Sequence, residues 1–173
     1  MPIFLLSMAI ALAAMQTPST PAPVTCPATP APLPAALSGW AAPKPLAAAK
    51  TIEAASGTLL KIGEAADLAL SPTPEVSYGL RPERPGGSVS HGGMATIAVE
   101  TEGTYRVAID SPAWLDVVAD GKSLESVGHG HGPDCSGIRK MVDFKLTPGR
   151  YLLQIVGNGS PKLRVLVTSV PAA

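Results

Sequence analysis

The feature of this sequence that most constrains its fold is an alternation of apolar and polar residues with a period of two, which dominates from residue 58 onward. The alternation is clearest in 105–109, 115–119, 142–146 and 163–167. Successive side chains of a strand point to opposite faces, so this period is typical of antiparallel strands that are buried on one face. Together with 19 prolines, it predicts an all-β fold and excludes a coiled coil or a long helical bundle.

Turn residues separate the alternating segments, as at Asp120-Gly121 and Pro148-Gly149. Asp-Gly tolerates the positive φ that tight hairpins require. Further strands are predicted near 58–62, 67–70, 75–78 and 94–99, and a helix of at most a turn or two is predicted within 47–55. Eight or nine short strands separated by turns indicate an antiparallel β-sandwich or a jelly roll.

The N-terminal residues predict export. Ile, Phe, Leu and Met residues are concentrated before Ala11-Leu12-Ala13, which has the small-x-small pattern of a signal-peptidase site. We therefore expect a signal peptide at 1–13, a periplasmic or secreted protein, and no membrane span after cleavage.

A proline-rich leader follows at 14–45, with nine prolines from residue 18 to residue 45. Proline fixes φ and removes a hydrogen-bond donor, so the leader favours extended polyproline-like conformations. It is either a spacer or a tail that docks on the domain through Leu33, Leu37 and Trp40. A single β-domain is expected at 46–173.

The charge balance limits the partners. Thirteen Lys and Arg residues match thirteen Asp and Glu residues, so the formal net charge is zero. A nucleic-acid-binding protein needs a basic surface to neutralise phosphates, and this composition excludes that class. The remaining partners are an unknown ligand or an unknown protein.

The chain has two cysteines, Cys26 and Cys135. In an oxidising compartment two cysteines most simply pair with each other, so we predict a disulfide between them. If this bond forms, Cys135 is not available as a thiolate ligand for a metal.

The most chemically distinctive segment is the glycine-rich loop at 128–137. His129 and His131 are two residues apart, so an extended backbone directs both imidazoles to one side. With Asp134 and with His91 from another loop they form a candidate metal site, for which Cu or Zn is the expected ion. The alternative is a solvated loop without a metal.

Three further residues are candidates for ligand binding. Arg139 and Lys140 follow the loop directly and are candidates for an anion site, or they belong to a solvated strand face. Trp114 is either a core aromatic or a platform on which a sugar ring stacks.

Two families share short patterns with this chain. The segments Gly103-Thr104-Tyr105, Trp114–Val118 with Asp120-Gly121, and Phe144 leading to Gly149-Arg150-Tyr151 resemble the pre-peptidase C-terminal type of bacterial β-sandwich, over roughly 95–169. This resemblance implies an exported, non-catalytic accessory or binding module.

His129-x-His131 also resembles the first motif of cupins, which include non-haem iron dioxygenases of the homogentisate type. Ser123 stands at the glycine position of that motif, and Cys135 or Ser136 stands at its glutamate position. The leading hypothesis is therefore an exported binding protein that is not an enzyme. The alternative is a cupin-like dioxygenase with His129 and His131 as ligands of Fe.

Overall fold

The structure is a computed structural model that describes residues 25–28 and 32–171. The predicted signal peptide at 1–13 lies outside these residues. The described residues form twelve strands: β1 Lys44–Ala47, β2 Leu59–Leu60, β3 Ala65–Ala69, β4 Ser71–Pro72, β5 His91–Val99, β6 Gly103–Ile109, β7 Trp114–Ala119, β8 Lys122–Ser123, β9 Gly128–Gly130, β10 Lys140–Leu146, β11 Gly149–Asn158 and β12 Lys162–Val170. The helices are α1 at Ile52–Ala55 and two 3-10 helices at Ala35–Ala41 and Thr73–Glu75.

The strands form two sheets. The first has the order β1-β3-β12-β6-β10-β9, and the second has the order β2-β5-β11-β7-β8 with β4 paired to β5. The pairing is antiparallel except between β1 and β3 and between β2 and β5, so both sheets are mixed. The predicted all-β class is confirmed, and the architecture is a β-sandwich.

The strand predictions differ from the structure in two places. The segment 75–78 was expected to be a strand, but Thr73–Glu75 is a 3-10 helix with proline in its first turn. Proline cannot donate to a ladder, and its fixed φ suits the start of a helix. The number of strands is also higher than expected, because β4 and β8 have only two residues, β9 has three and β1 contains proline, so these strands have too little alternation to be recognised.

The core lies between the sheets and contains the residues that alternate along the strands. Val107 and Ile109 of β6, Val117 of β7 and Leu153 of β11 are each almost fully buried there. Each buried aliphatic side chain of this size contributes roughly 1.5 to 3 kcal/mol relative to an exposed one. The apolar residues that recur at every second position of the sequence are therefore those on the face of each sheet that the other sheet covers.

The leader docks on the outer face of the first sheet. Leu37 is 3% exposed and Trp40 is 4% exposed, and both pack in a second cluster with Ala108 and Leu166. The 3-10 helix at Ala35–Ala41 lies so close to the loop before β3 that a Cβ on Gly39 would be 2.0 Å from the carbonyl oxygen of Gly63. The docking hypothesis is confirmed for Leu37 and Trp40, and Leu33 packs at the margin of the same cluster.

Polar contacts fix the same tail. The Trp40 Nε1–H donates to the carbonyl oxygen of Ser136 at 3.0 Å. Arg164 lies over the Trp40 ring, 5.6 Å from its centroid, and binds Asp67 through two hydrogen bonds of 2.7 and 3.3 Å. Residues 35–45, which the sequence assigned to the leader, therefore pack directly on the domain.

Within the described residues no helix is both long and apolar enough to cross a membrane.

The predicted disulfide is confirmed. Cys26 and Cys135 are bonded, with their Cα atoms 5.5 Å apart and a sequence separation of 109. The bond joins the leader to the loop at 128–137, next to the Ser136 carbonyl that Trp40 binds. The leader is thus attached both covalently and by a buried indole.

We expect the double substitution Cys26→Ser with Cys135→Ser to lower the free energy of unfolding by about 2 to 5 kcal/mol, because the bond restricts the unfolded chain. Urea unfolding followed by tryptophan fluorescence measures the change. Wild-type protein unfolded under a reducing agent should give the same curve as the variant. Equal midpoints for the oxidised wild type and the variant would contradict the prediction.

Candidate functional site

A cavity of about 680 Å³ opens at one side of the sandwich. It lies where the β7–β8 edge of the second sheet meets the β10–β9 edge of the first. The lining comes from all four strands, from the connecting segments next to them and from the segment before β5: Glu83, Pro112, Trp114, Leu115, Asp116, Ser123, Leu124, Ser126, His129, Gly130, His131, Arg139, Lys140, Val142 and Phe144. We call this cavity the edge cleft.

The floor of the edge cleft is apolar. Leu115, Val142 and Phe144 belong to the main core, and Leu124 packs against it. Val142 and Phe144 are inward-facing positions of β10. His129 in β9 is directly opposite Val142 in the register, so its side chain shares the face of Val142. The cleft is therefore an opening into the side of the core with polar groups around it.

Trp114 organises the polar rim. The Arg84 guanidinium and the Lys140 ammonium each lie 5.4 Å from the centroid of its ring. The Trp114 Nε1–H donates to Asp116 Oδ2 at 3.1 Å, and the Ser123 hydroxyl donates to Asp116 Oδ1 at the same distance. Asp116 is only 8% exposed, so these two bonds stabilise a carboxylate that burial would otherwise disfavour.

Lys140 is a partly buried cation of the rim. Its Nζ donates to the Ala113 carbonyl oxygen at 3.2 Å. Burial lowers the pKa of Lys140, the charge of Asp116 raises it, and the like charge of Arg84 lowers it further. Two cations thus share one aromatic ring near a single buried carboxylate, and burial is the main reason why the pKa of Lys140 is lowered.

The two loop histidines lie on the opposite wall. His131 Nδ1 is 3.0 Å from the Arg139 carbonyl oxygen. A carbonyl oxygen can only accept, so Nδ1 carries the proton, and in the neutral ring Nε2 has a free lone pair. His129 and His131 are both exposed and both line the edge cleft.

The other predicted metal ligands lie elsewhere. His91 begins β5 in the second sheet, opposite Pro72 and Asn158, and its buried Nδ1 has no hydrogen-bond partner among the described residues. Asp134 is exposed in the turn beside the disulfide, and Cys135 is oxidised. Across 25–28 and 32–171, no three or more His, Cys, Asp or Glu side chains are grouped to hold a metal ion.

The structure therefore brings five of the candidate residues together: Trp114, His129, His131, Arg139 and Lys140 all line the edge cleft. Sequence reasoning missed Arg84 and Asp116. Arg84 lies in a proline-rich segment without alternation, so nothing indicated which surface it would cover. Asp116 is a polar position of an alternating strand, which suggests exposure, and only its Trp114 and Ser123 partners explain its burial.

No protein-family model matches this sequence. A search of the curated proteins also finds no significant match to it. The resemblances to pre-peptidase C-terminal domains and to cupins therefore remain predictions.

The charges around Lys140 predict two opposite effects. Asp116→Asn should lower the pKa of Lys140, because it removes the favourable negative charge. Arg84→Gln should raise it, because it removes a like charge. NMR titration of the Lys140 side-chain methylene next to the amine measures both values, with the exposed Lys145 as internal reference. Shifts of the same sign in the two variants would contradict this electrostatic description.

Proposed function

We propose that this protein is an exported, non-catalytic β-sandwich that binds a ligand in the edge cleft. The observation that carries the proposal is the convergence of Trp114, Lys140 and the His129–His131 pair on one cavity with an apolar floor. Pockets that combine apolar lining with a few convergent polar groups are the usual form of small-ligand sites. The volume of about 680 Å³ lies within the usual range for such sites, about 300 to 1,000 Å³.

The two titratable groups beside Trp114, Asp116 and Lys140, are better suited to binding than to acid–base catalysis. Both oxygens of the Asp116 carboxylate already accept hydrogen bonds, from Trp114 and Ser123, and Lys140 donates to the backbone at Ala113. A general base needs a lone pair directed at the substrate proton. These groups are instead held in fixed positions by the protein, which lowers the entropy that the site loses when a ligand binds.

Two features support export. The apolar residues and small-x-small motif at the N-terminus are typical of a signal peptide, and the disulfide between Cys26 and Cys135 is of the kind that persists in oxidising compartments. Expression of the full chain in a bacterium tests this directly. Recovery of the protein from the cytoplasm with both thiols free would contradict export.

The binding proposal can be tested with the probe 8-anilinonaphthalene-1-sulfonate, an aromatic anion that matches an apolar floor and a cationic rim. We expect one equivalent to bind with enhanced, blue-shifted fluorescence. Lys140→Met should weaken binding about tenfold, equivalent to about 1.4 kcal/mol, because it removes a partly buried cation from the rim.

The matched control is Lys145→Met on the same strand, whose exposed side chain is not part of the cleft. It should bind the probe as the wild type does. Thermal unfolding of each variant shows that the probe is reporting on folded protein. Equal affinities for the two lysine variants, or no binding by the wild type, would contradict the proposed site.

Metal binding is the second candidate, and the His131 tautomer favours it. Metal-ligating histidines usually donate their other ring N–H to a carbonyl or carboxylate, as His131 does to Arg139. With His129 this gives two imidazole ligands, which fit Cu or Zn completed by solvent or by a bound ligand. The iron site of a cupin-like dioxygenase needs a third protein ligand, which the described residues do not group with these two.

For this candidate, we expect Cu²⁺ titration by isothermal calorimetry to show one site that the double substitution His129→Ala with His131→Ala removes. His91→Ala is the control, since His91 is the remaining histidine and lies outside the edge cleft. Loss of the site in His91→Ala, or unchanged binding in the double variant, would contradict a metal site at the cleft.

A further inference from the structure

The strand β7 is covered by a neighbouring strand along only part of its outer edge. β8 pairs with it at Val118 and Ala119, and the Leu124 N–H donates to the Val117 carbonyl oxygen at 2.8 Å. In an antiparallel pair, alternate residues direct both backbone groups to the same neighbour. Val117 therefore faces β8, and Leu115, two residues earlier, presents its N–H and C=O at the same edge.

The pairing of β5 with β11 and of β11 with β7 leads to the same conclusion about the direction of the Leu115 backbone groups. Met94 of β5 exchanges hydrogen bonds of 2.8 and 2.9 Å with Ala49, so its backbone faces away from β11. Gln154 of β11 lies opposite Met94 in the register and therefore bonds to its other neighbour, Asp116 of β7. The backbone of Asp116 thus faces β11, and that of Leu115 faces the outer edge.

That edge opens into the edge cleft. After Leu124 the chain leaves β7 and crosses to the first sheet, where it forms β9, so no strand continues alongside Leu115. Ala113, two residues before Leu115, is not available to pair with an added strand, because its carbonyl oxygen accepts a hydrogen bond from Lys140. Leu115 is 6% exposed, and its N–H and C=O have no hydrogen-bond partner among the described residues. Buried backbone groups without partners are rare in proteins.

We infer that the ligand of the edge cleft is an extended peptide segment that adds to β7 as a strand and pairs with the backbone of Leu115. This inference rests on the proposed function and names its ligand class. Strand addition to an open sheet edge is a general mode of peptide recognition, in which backbone bonds supply affinity and alternate side-chain pockets supply specificity. Here the unpaired N–H and C=O belong to Leu115 at the lining of the edge cleft, so an added strand would lie in that cleft.

The two faces of the added strand meet different surroundings. The side chain opposite Leu115 faces the floor, which holds Leu124, Val142 and Phe144. Its neighbours along the peptide face the side of Trp114, with Arg84 and Lys140 over the ring. On that face two cations lie over the Trp114 ring, and the oxygens of the Asp116 carboxylate already accept hydrogen bonds, so formal charge favours carboxylates there. The expected segment alternates apolar and acidic residues.

The probe is the acetylated and amidated hexapeptide Glu-Val-Glu-Leu-Glu-Val with a fluorescent label, and binding to the full chain is followed by anisotropy. N-methylation of single peptide residues removes one donor at a time. We expect affinity about tenfold weaker or more when the peptide residue opposite Leu115 is methylated and unchanged affinity when its neighbours are, because Leu115 is the open position of this edge and the adjacent residues face away from β7. A uniform effect along the peptide would overturn strand addition.

Hydrogen exchange provides a readout on the protein itself. The amide of Leu115 should exchange faster than that of Asp116 in the free protein and should slow when the peptide is added, whereas Asp116 is already paired with β11. An unchanged Leu115 rate at saturating peptide would overturn the inference. If the hexapeptide does not bind while the naphthalene sulfonate probe does, the cleft is a binding site but strand addition is wrong. If neither binds, the proposed function fails as well.

Discussion

The packing of two sheets through alternate apolar side chains is the constraint on which the rest of this structure depends. Because the inner positions of β6, β7, β10, β11 and β12 are filled by aliphatic and aromatic residues, the register of each strand is fixed: a slip by one residue would turn its apolar set outward. Fixed register also determines which backbone groups lie at each edge. The position of Leu115 at an open edge is therefore a consequence of core packing.

The edge cleft follows from where the chain changes sheets. Ser123 and Leu124 still accompany β7, whereas Gly128–Gly130 pairs with β10 in the opposite sheet. A connection that crosses between sheets leaves both edges incompletely covered at the crossing point. The cavity lies there, with core residues such as Val142 as its floor, and the polar residues of the crossing segment and of β7 form its rim.

The sequence allowed the fold class to be predicted because period-two alternation and turn residues are local signals. It also allowed Trp114, His129, His131, Arg139 and Lys140 to be singled out, because their types carry chemistry in almost any setting. The grouping of His129 and His131 with His91 was a statement about strands that are distant in sequence, and no local signal contains that information. The same holds for Arg84, which reaches Trp114 from a segment without periodicity, and for β1, whose proline argued against a strand although it lies at a sheet edge.

The leader and the edge cleft are mechanically connected through the turn at 132–137. On one side the turn is held by the disulfide at Cys135 and by the Trp40 indole on the Ser136 carbonyl. On the other side a Cβ on Gly132 would lie 2.3 Å from the Cβ of Ile138, so only glycine permits this close return of the chain. The His131–Arg139 hydrogen bond then closes the base of the turn, and both of these residues line the cleft. A leader that serves only as a spacer would need none of these contacts. Here it stabilises one wall of the cavity, which is the preorganised arrangement that the proposed binding site requires.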